Sequence, residues 1–100
     1  MMITKTFHDD TYDLIFDQNN VVTVNKHNNE HQTIVPLSYI SLCVTIRDYF
    51  KENPVNEFVL RGHQNIQIII GAMGWFLIKS GWCMKFDWDN HQIILTKENK

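Results

Sequence analysis

Residues 61–82 read RGHQNIQIIIGAMGWFLIKSGW, in which an arginine, a glycine and a histidine lead into a nearly unbroken apolar run. A membrane span needs about 20 apolar residues, more than the run from Ile66 to Ile78 supplies, and Gln67 interrupts that run. The run is too long for an ordinary strand, so it predicts a helix over Ile66–Lys79. A helix this apolar on most sides is buried. A strand over the β-branched IQIII is the alternative.

The predicted helix carries its large apolar side chains on one stripe, and we expect Met73 and Leu77 to be buried against a sheet. Gly71 and Gly74 each cost about 1 kcal/mol of helix propensity relative to alanine. We therefore expect a close backbone approach at both glycines, to an element of this chain or of a partner. The stripe consists of Ile66, Ile69, Ile70, Met73, Phe76 and Leu77.

The segment before this helix is a candidate anion site. A strand that turns through a glycine into a helix offers free backbone N–H groups and the positive end of the helix dipole. The candidate anion-binding residues are Arg61, Gly62, His63 and Asn65. The Rossmann and P-loop fingerprints need several residues that are missing here. The competing interpretation is therefore purely structural: Gly62 forms the turn, Asn65 or a neighbour caps the helix, and Arg61 is solvated.

Towards the N-terminus, TYDLIF and VVTV alternate as strands do, and DQNN separates them. A three-residue loop with Asn20 in the left-handed conformation groups their apolar side chains on one face. This register pairs Phe16 with Val22 and Leu14 with Val24. ITKTF and HQTIV are the predicted outer strands.

The period then changes to that of a helix, with Ser38 as the N-cap and with Leu37 and Leu42 at the two positions of a hydrophobic staple. We expect this helix to end near residues 51–53, because Pro54 disfavours helical geometry in the residue before it. EFVLR is the next predicted strand.

WCMKFDW and HQIILTK predict a second hairpin, with Asp89-Asn90 as a two-residue turn and Trp88 facing His91. This register pairs Phe86 with Ile93 and Met84 with Leu95. The aromatic and aliphatic side chains then share one face, which we expect to be core. That face carries Trp82, Met84, Phe86, Trp88, Ile93 and Leu95, and the other carries Cys83, Lys85, Asp87, Gln92 and Thr96.

The order strands, helix, strand, helix, hairpin predicts an α+β fold with a mostly antiparallel sheet and two helices packed on one face. One hundred residues, 44% of them hydrophobic, predict a single compact domain over residues 1–100. A net charge of −2 disfavours duplex nucleic acid as a partner. Two cysteines are too few for a disulfide scaffold, and no secretory signal opens the chain. We therefore expect a cytoplasmic protein that does not enter a membrane.

His27 to His31 match H-x-x-E-H, the inverted zinc-protease signature. That chemistry needs two histidines one turn apart on a helix, whereas KHNNEHQ has the composition of a turn. We interpret the segment as a solvated loop. The sequence thus assigns no catalytic residue, no metal ligand and no cofactor, and it favours a non-catalytic chain over an enzyme.

Four aspartates outnumber the single lysine of the first hairpin region and could steer a basic partner by long-range attraction. The candidate partner-binding residues are Asp9, Asp10, Asp13 and Asp17. The leading hypothesis is a small protein-binding module of the inhibitor, immunity or adaptor type, from a microbe or phage. The alternative is a small-ligand or anion-binding domain that uses the Arg61-Gly62-His63 turn. A homo-oligomer is the third hypothesis.

Overall fold

The computed structural model describes residues 2–9, 11–27 and 39–97, which form a six-stranded sheet and two helices. Short 3₁₀ turns lie at Gln64–Ile66 and Trp88–Asn90. The larger elements in chain order are β1 (Ile3–His8), β2 (Tyr12–Asp17), β3 (Val21–Lys26), α1 (Tyr39–Glu52), β4 (Glu57–Gly62), α2 (Gln67–Ile78), β5 (Trp82–Asp87) and β6 (Gln92–Lys97).

The strands lie in the order β1-β2-β3-β4-β6-β5. All neighbours are antiparallel except β3 and β4, which are parallel and are joined by a crossover that contains α1. Parallel neighbours need such a long connection, whereas antiparallel ones can be joined by a tight turn. The predicted α+β fold with its mostly antiparallel sheet and two helices is confirmed. The single-domain prediction for residues 1–100 stays a prediction.

The first hairpin has the predicted register. Leu14 pairs with Val24 and Phe16 with Val22, and Asn20 is left-handed with a φ of 61°. All four paired side chains are buried on one face, as strand alternation requires. β1 confirms the outer strand predicted over ITKTF. HQTIV lies outside the described residues.

The first helix ends at Glu52, inside the predicted interval before Pro54. Leu37 and Ser38, the predicted staple residue and N-cap, lie outside the described residues. Its buried side chains reach the sheet through a group of stacked rings, in which Phe50 lies 4.3 Å from Phe58 between ring centroids. Phe16 and Trp82 pack around the same ring.

The second helix confirms the prediction to within a residue at each end, and IQIII is not a strand. Met73 and Leu77 are fully buried, as expected. Within the described part of the chain, no helix has both the length and the apolar character that crossing a bilayer requires.

The two helix glycines differ. A Cβ at Gly74 would collide with Met84 Sδ and Ile93 Cδ1, so here the helix backbone approaches β5 and β6 as predicted. A Cβ at Gly71 would meet only Trp88, at the ordinary contact distance of 3.9 Å. No described element of this chain therefore approaches closely at Gly71, and an approach by a partner there stays a prediction.

The second hairpin has the predicted register, with Met84 opposite Leu95 and Phe86 opposite Ile93. Its predicted two-residue turn is wrong. The last strand pair is Asp87 with Gln92, and residues 88–91 form a longer loop that ends at a left-handed His91 with a φ of 54°. A two-residue turn would need a positive φ at one or both of its central residues. The longer loop needs it only at His91, and Asp87 stabilises this loop by accepting hydrogen bonds from Asn90 and Gln92.

Candidate interaction surface

Four large apolar side chains of α2 and the second hairpin are exposed. The exposed fractions are 61% for Trp75, 53% for Ile68, 46% for Phe86 and 38% for Trp88. We call these four residues the aromatic patch. Phe86 and Trp88 pack on each other with their ring centroids 5.1 Å apart. Because Trp88 also borders the outer face of α2, the patch is continuous from the hairpin to the helix.

A shallow groove runs through this patch. Its helix side is formed by residues one turn apart, which leaves small side chains between large ones and so creates the concavity. Gln67, at the start of the helix, also reaches the hairpin loop, where its side-chain amide lies 2.7 Å from His91 Nδ1. The lining residues are Gln67, Ile68, Gly71, Ala72, Trp75 and Trp88.

The sequence prediction placed Phe86 and Trp88 in the core, and the structure shows that this is wrong. They lie on the predicted face, the one that α2 approaches, but β5 is one of the two edge strands of the described sheet. An edge strand is flanked on one side only, so a helix that covers the neighbouring strand leaves part of it open. Trp82, at the other end of β5, is buried against Phe50 and Phe58.

The sequence contains a signal for the helix part of the aromatic patch. Ile68, Ala72 and Trp75 fall on the same stripe of α2 as Lys79, a residue that closes the apolar run and is exposed. A stripe that ends in a lysine faces solvent more readily than one that is apolar throughout. No comparable signal marks Phe86, because its alternation with charged residues is the same in a buried strand.

The predicted acidic residues are largely engaged in local structure. Asp9 accepts hydrogen bonds from the backbone N–H groups of Thr11 and Tyr12 at 2.8 and 2.6 Å. Asp17 is buried, with 6% of its surface exposed, and accepts from the N–H groups of Asn19 and Val21. Asp17 thus does not present the free surface charge that a partner-binding residue needs, because its carboxylate closes the turn between β2 and β3. Asp10 lies outside the described residues.

Asp13, on β2, links β1 to the residue that follows β3. Its Oδ1 accepts hydrogen bonds from His8 Nδ1 and His27 Nε2, both at 2.7 Å. Hydrogen bonds to a carboxylate favour its charged form, so those from His27 and then His8 hold the pKa of Asp13 below its ordinary value. The two histidines thus hold Asp13 in its charged form and occupy the oxygen that a partner would otherwise contact.

The candidate anion site is spread over two sides of the sheet. Arg61 donates two hydrogen bonds to Gln92 Oε1, at 3.1 and 2.9 Å. Successive residues of a strand face opposite sides of the sheet, so the Arg61 side chain points to the side opposite that of its buried neighbours Leu60 and Gly62. It therefore points away from α2. The N–H of Gly62 is already used, since it donates to the carbonyl of His91 at 3.1 Å.

His63 and Asn65, the other candidate anion-binding residues, do not lie at a capped N-terminus of α2. His63 is exposed and precedes the 3₁₀ turn, and the N-cap of α2 is Ile66, which makes no side-chain capping bond. Gly62 is a glycine for a packing reason, because a Cβ there would collide with Ile70 and Ile66. Asn65 lies inside the 3₁₀ turn. Anion binding by these residues stays a prediction.

Reactive groups are few in the described ranges. Cys43 is buried and Cys83 is exposed, and both are free thiols. Burial raises the pKa of Cys43 to about 12, which suppresses the nucleophilic thiolate. Over residues 2–9, 11–27 and 39–97, no three His, Cys, Asp or Glu side chains gather as a metal site. Of the H-x-x-E-H segment only His27 is described, and it contacts Asp13.

Comparisons of the chain with protein-family models, with curated proteins and with solved structures give no match.

Proposed function

We propose that this chain is a non-catalytic protein-binding module that contacts its partner through the aromatic patch. The observation that supports this is the exposure of Trp75, Phe86 and Trp88 on one continuous surface. Contiguous exposed apolar surface on a small protein marks an interaction site more often than scattered apolar residues do. Tryptophan is also enriched among the residues that dominate binding energy.

The class includes inhibitors, immunity proteins and adaptors from microbes or phages, which act by occupying a surface of another protein. Asp9, Asp10 and Asp13 would add long-range attraction to a basic partner rather than form the contact itself. A reducing cytoplasm suits the exposed free thiol of Cys83, which an oxidising compartment would leave open to unwanted cross-linking.

The test begins with affinity capture of partners from the native host by the wild-type chain, followed by mass spectrometry. The dissociation constant of an identified partner is then measured by calorimetry for the wild type and two variants. Trp75→Ala should weaken binding about thirtyfold, the effect of a hot-spot residue.

Ile40→Ala is the matched control, because Ile40 is a large apolar residue of α1 that is 42% exposed and lies outside the patch. It should leave the dissociation constant unchanged. Circular dichroism establishes that both variants fold. A partner that binds Trp75→Ala as tightly as the wild type would contradict the proposed function.

A further inference from the structure

The outer side of β5 is an open strand edge. β5 pairs with β6 on one side, and no described residue pairs with it on the other. An edge of this kind presents a row of backbone N–H and C=O groups that can accept another strand. Proteins usually protect an exposed edge against pairing with another chain by a bulge, a proline or an isolated lysine. The two edges of this sheet can be compared for these features.

The β1 edge carries such protection. Its pairing with β2 shifts between Ile3 and Lys5, as at a β-bulge, and Lys5 has no acidic residue beside it in the strand. β5 pairs with β6 over six consecutive residues without a shift. It contains no proline, and its Lys85 is followed two residues later by Asp87 on the same face. The β5 edge is therefore regular and carries both charge signs.

Each face of β5 has a distinct character. Met84 and Phe86 point to the side of α2, in line with Trp88 of the aromatic patch. Lys85 and Asp87 point to the opposite side, which both helices leave open. A strand that docks here has to supply apolar side chains on one face and complementary charges on the other.

We propose that a second copy of this chain docks at the edge, with its β5 antiparallel to this one, about a twofold axis that passes through Phe86 perpendicular to the sheet. Opposed residues in an antiparallel pair point to the same face. Phe86 then faces Phe86 of the second copy, and the strand pairing covers residues 85–87 of each copy, because β5 ends at Asp87 and a 3₁₀ turn follows. Lys85 faces Asp87 of the second copy, and the twofold axis repeats this ion pair.

The charges select this register among the symmetric ones. A twofold axis through Lys85 would place the two lysines directly opposite each other, which is destabilising. An axis through Met84 would place Lys85 opposite Cys83 and leave both charges without a partner. Asp87 can accept a lysine in addition to Asn90 and Gln92, since a carboxylate has about four lone-pair sites.

The inference rests on the proposed function, because it names a second copy as an occupant of the Phe86 and Trp88 part of the aromatic patch. The two can fail separately. A monomeric chain whose identified partner depends on Trp75 would overturn the dimer alone. A dimer of this register whose identified partner does not depend on Trp75 would overturn the proposed function alone.

A charge-swap series followed by sedimentation velocity tests the dimer. The wild type should associate as its concentration rises. Lys85→Asp should raise the dimer dissociation constant about tenfold, because two attractive pairs become two repulsive ones. The double variant K85D/D87K restores opposite charges across the axis and should bring the dissociation constant back near the wild-type value. Lys5→Asp, the same change on the other edge strand, is the matched control and should have no effect.

Three results would overturn the dimer. They are a wild type that stays monomeric, a Lys85→Asp variant that associates as tightly as the wild type, and a folded double variant that is not restored. Should Asp87→Lys disturb the loop, circular dichroism will show it, and Phe86→Arg then replaces the double variant. That change sets two like charges on the axis and should abolish association, so a dimer that persists in this variant overturns the proposal.

A spin label on the native Cys83 measures the register independently. In the proposed register each Cys83 lies three residues from the twofold axis, on opposite sides of it, so the two Cys83 positions are offset by about 20 Å along the strands. Pulsed electron resonance should report this separation, lengthened by the label arms. A separation near 7 Å, as expected for an axis through Met84, would overturn the register.

Discussion

At the scale of single residues, the two cysteines differ in exposure and therefore in the reactivity of their thiols. Cys43 has no exposed surface, and its Sγ lies 3.7 Å from the carbonyl oxygen of Met73 in the contact between the helices. Cys83 lies on the open face of β5. The sequence already placed Cys83 on the face of the second hairpin that carries Lys85 and Asp87, opposite the predicted core face, and the structure has it there.

A thiol titration should show this difference. In the native protein at neutral pH, a disulfide reagent should modify one thiol quickly, and Cys83→Ser should remove that reaction. Cys43 should react only on unfolding, because its pKa of about 12 and its burial both suppress the thiolate. Cys43→Ser is the reciprocal control and should leave the fast phase in place. Two fast thiols in the wild type would contradict the burial of Cys43.

At the scale of the element, the helix α2 is defined by how closely its backbone approaches β5 and β6. The apolar run predicted its existence and its limits, since both follow from local composition. It did not predict which side would stay uncovered. Trp75 is exposed because the sheet and α1 contact other sides of the helix, and that arrangement is set by elements distant in the chain.

A pair of alanine substitutions tests how closely the backbone of α2 lies to β5 and β6. Gly71→Ala should raise the free energy of unfolding by up to about 1 kcal/mol, because alanine favours the helix and the new methyl group meets only Trp88. Gly74→Ala gains the same propensity but forces Met84 and the buried Ile93 to move, so a net loss of about 1–3 kcal/mol is expected.

Urea unfolding measures both variants against the wild type. The pair is its own control, because the same change is made three residues apart in one helix. Equal effects of the two substitutions would show that the helix does not approach the sheet at Gly74.

For the whole molecule, the sequence predicted the features that depend on neighbouring residues. It did not predict those that depend on pairing between distant segments. Both hairpin registers were predicted, because the alternation of apolar and polar side chains determines them. The parallel neighbours β3 and β4 were not, and neither was the position of β6 inside the sheet, since each depends on pairing between distant segments. The candidate site shares this limit, because Phe86 and Trp88 are exposed only as a result of the strand order.

Global stability should depend on Asp13, which links β1, β2 and the end of β3 through His8 and His27. Its pKa is lowered in the folded state, so its contribution is present above the ordinary aspartate pKa of about 3.9 and is lost as the pH falls through the lowered value. Asp13→Asn should therefore be less stable than the wild type at neutral pH, with the difference shrinking in acid.

Urea midpoints measured from neutral pH to strongly acidic pH give this difference. Asp48→Asn is the control, since Asp48 is an exposed aspartate on α1 that contacts only its neighbour Arg47 among the described partners. Its midpoint should follow that of the wild type. A constant gap between Asp13→Asn and the wild type at every pH would contradict the link.

The strand order also sets a sequence of events for a chain that emerges from a ribosome. β5 is synthesised before β6, yet it joins the sheet only through β6, which lies between it and β4. Until β6 has emerged, β5 has no strand to pair with, and α2 lacks Ile93 and Leu95 as packing partners. A nascent chain that has reached the second hairpin therefore leaves open to solvent the apolar side of α2 that β6 later covers. The order in which this fold closes is not the order in which its strands are made.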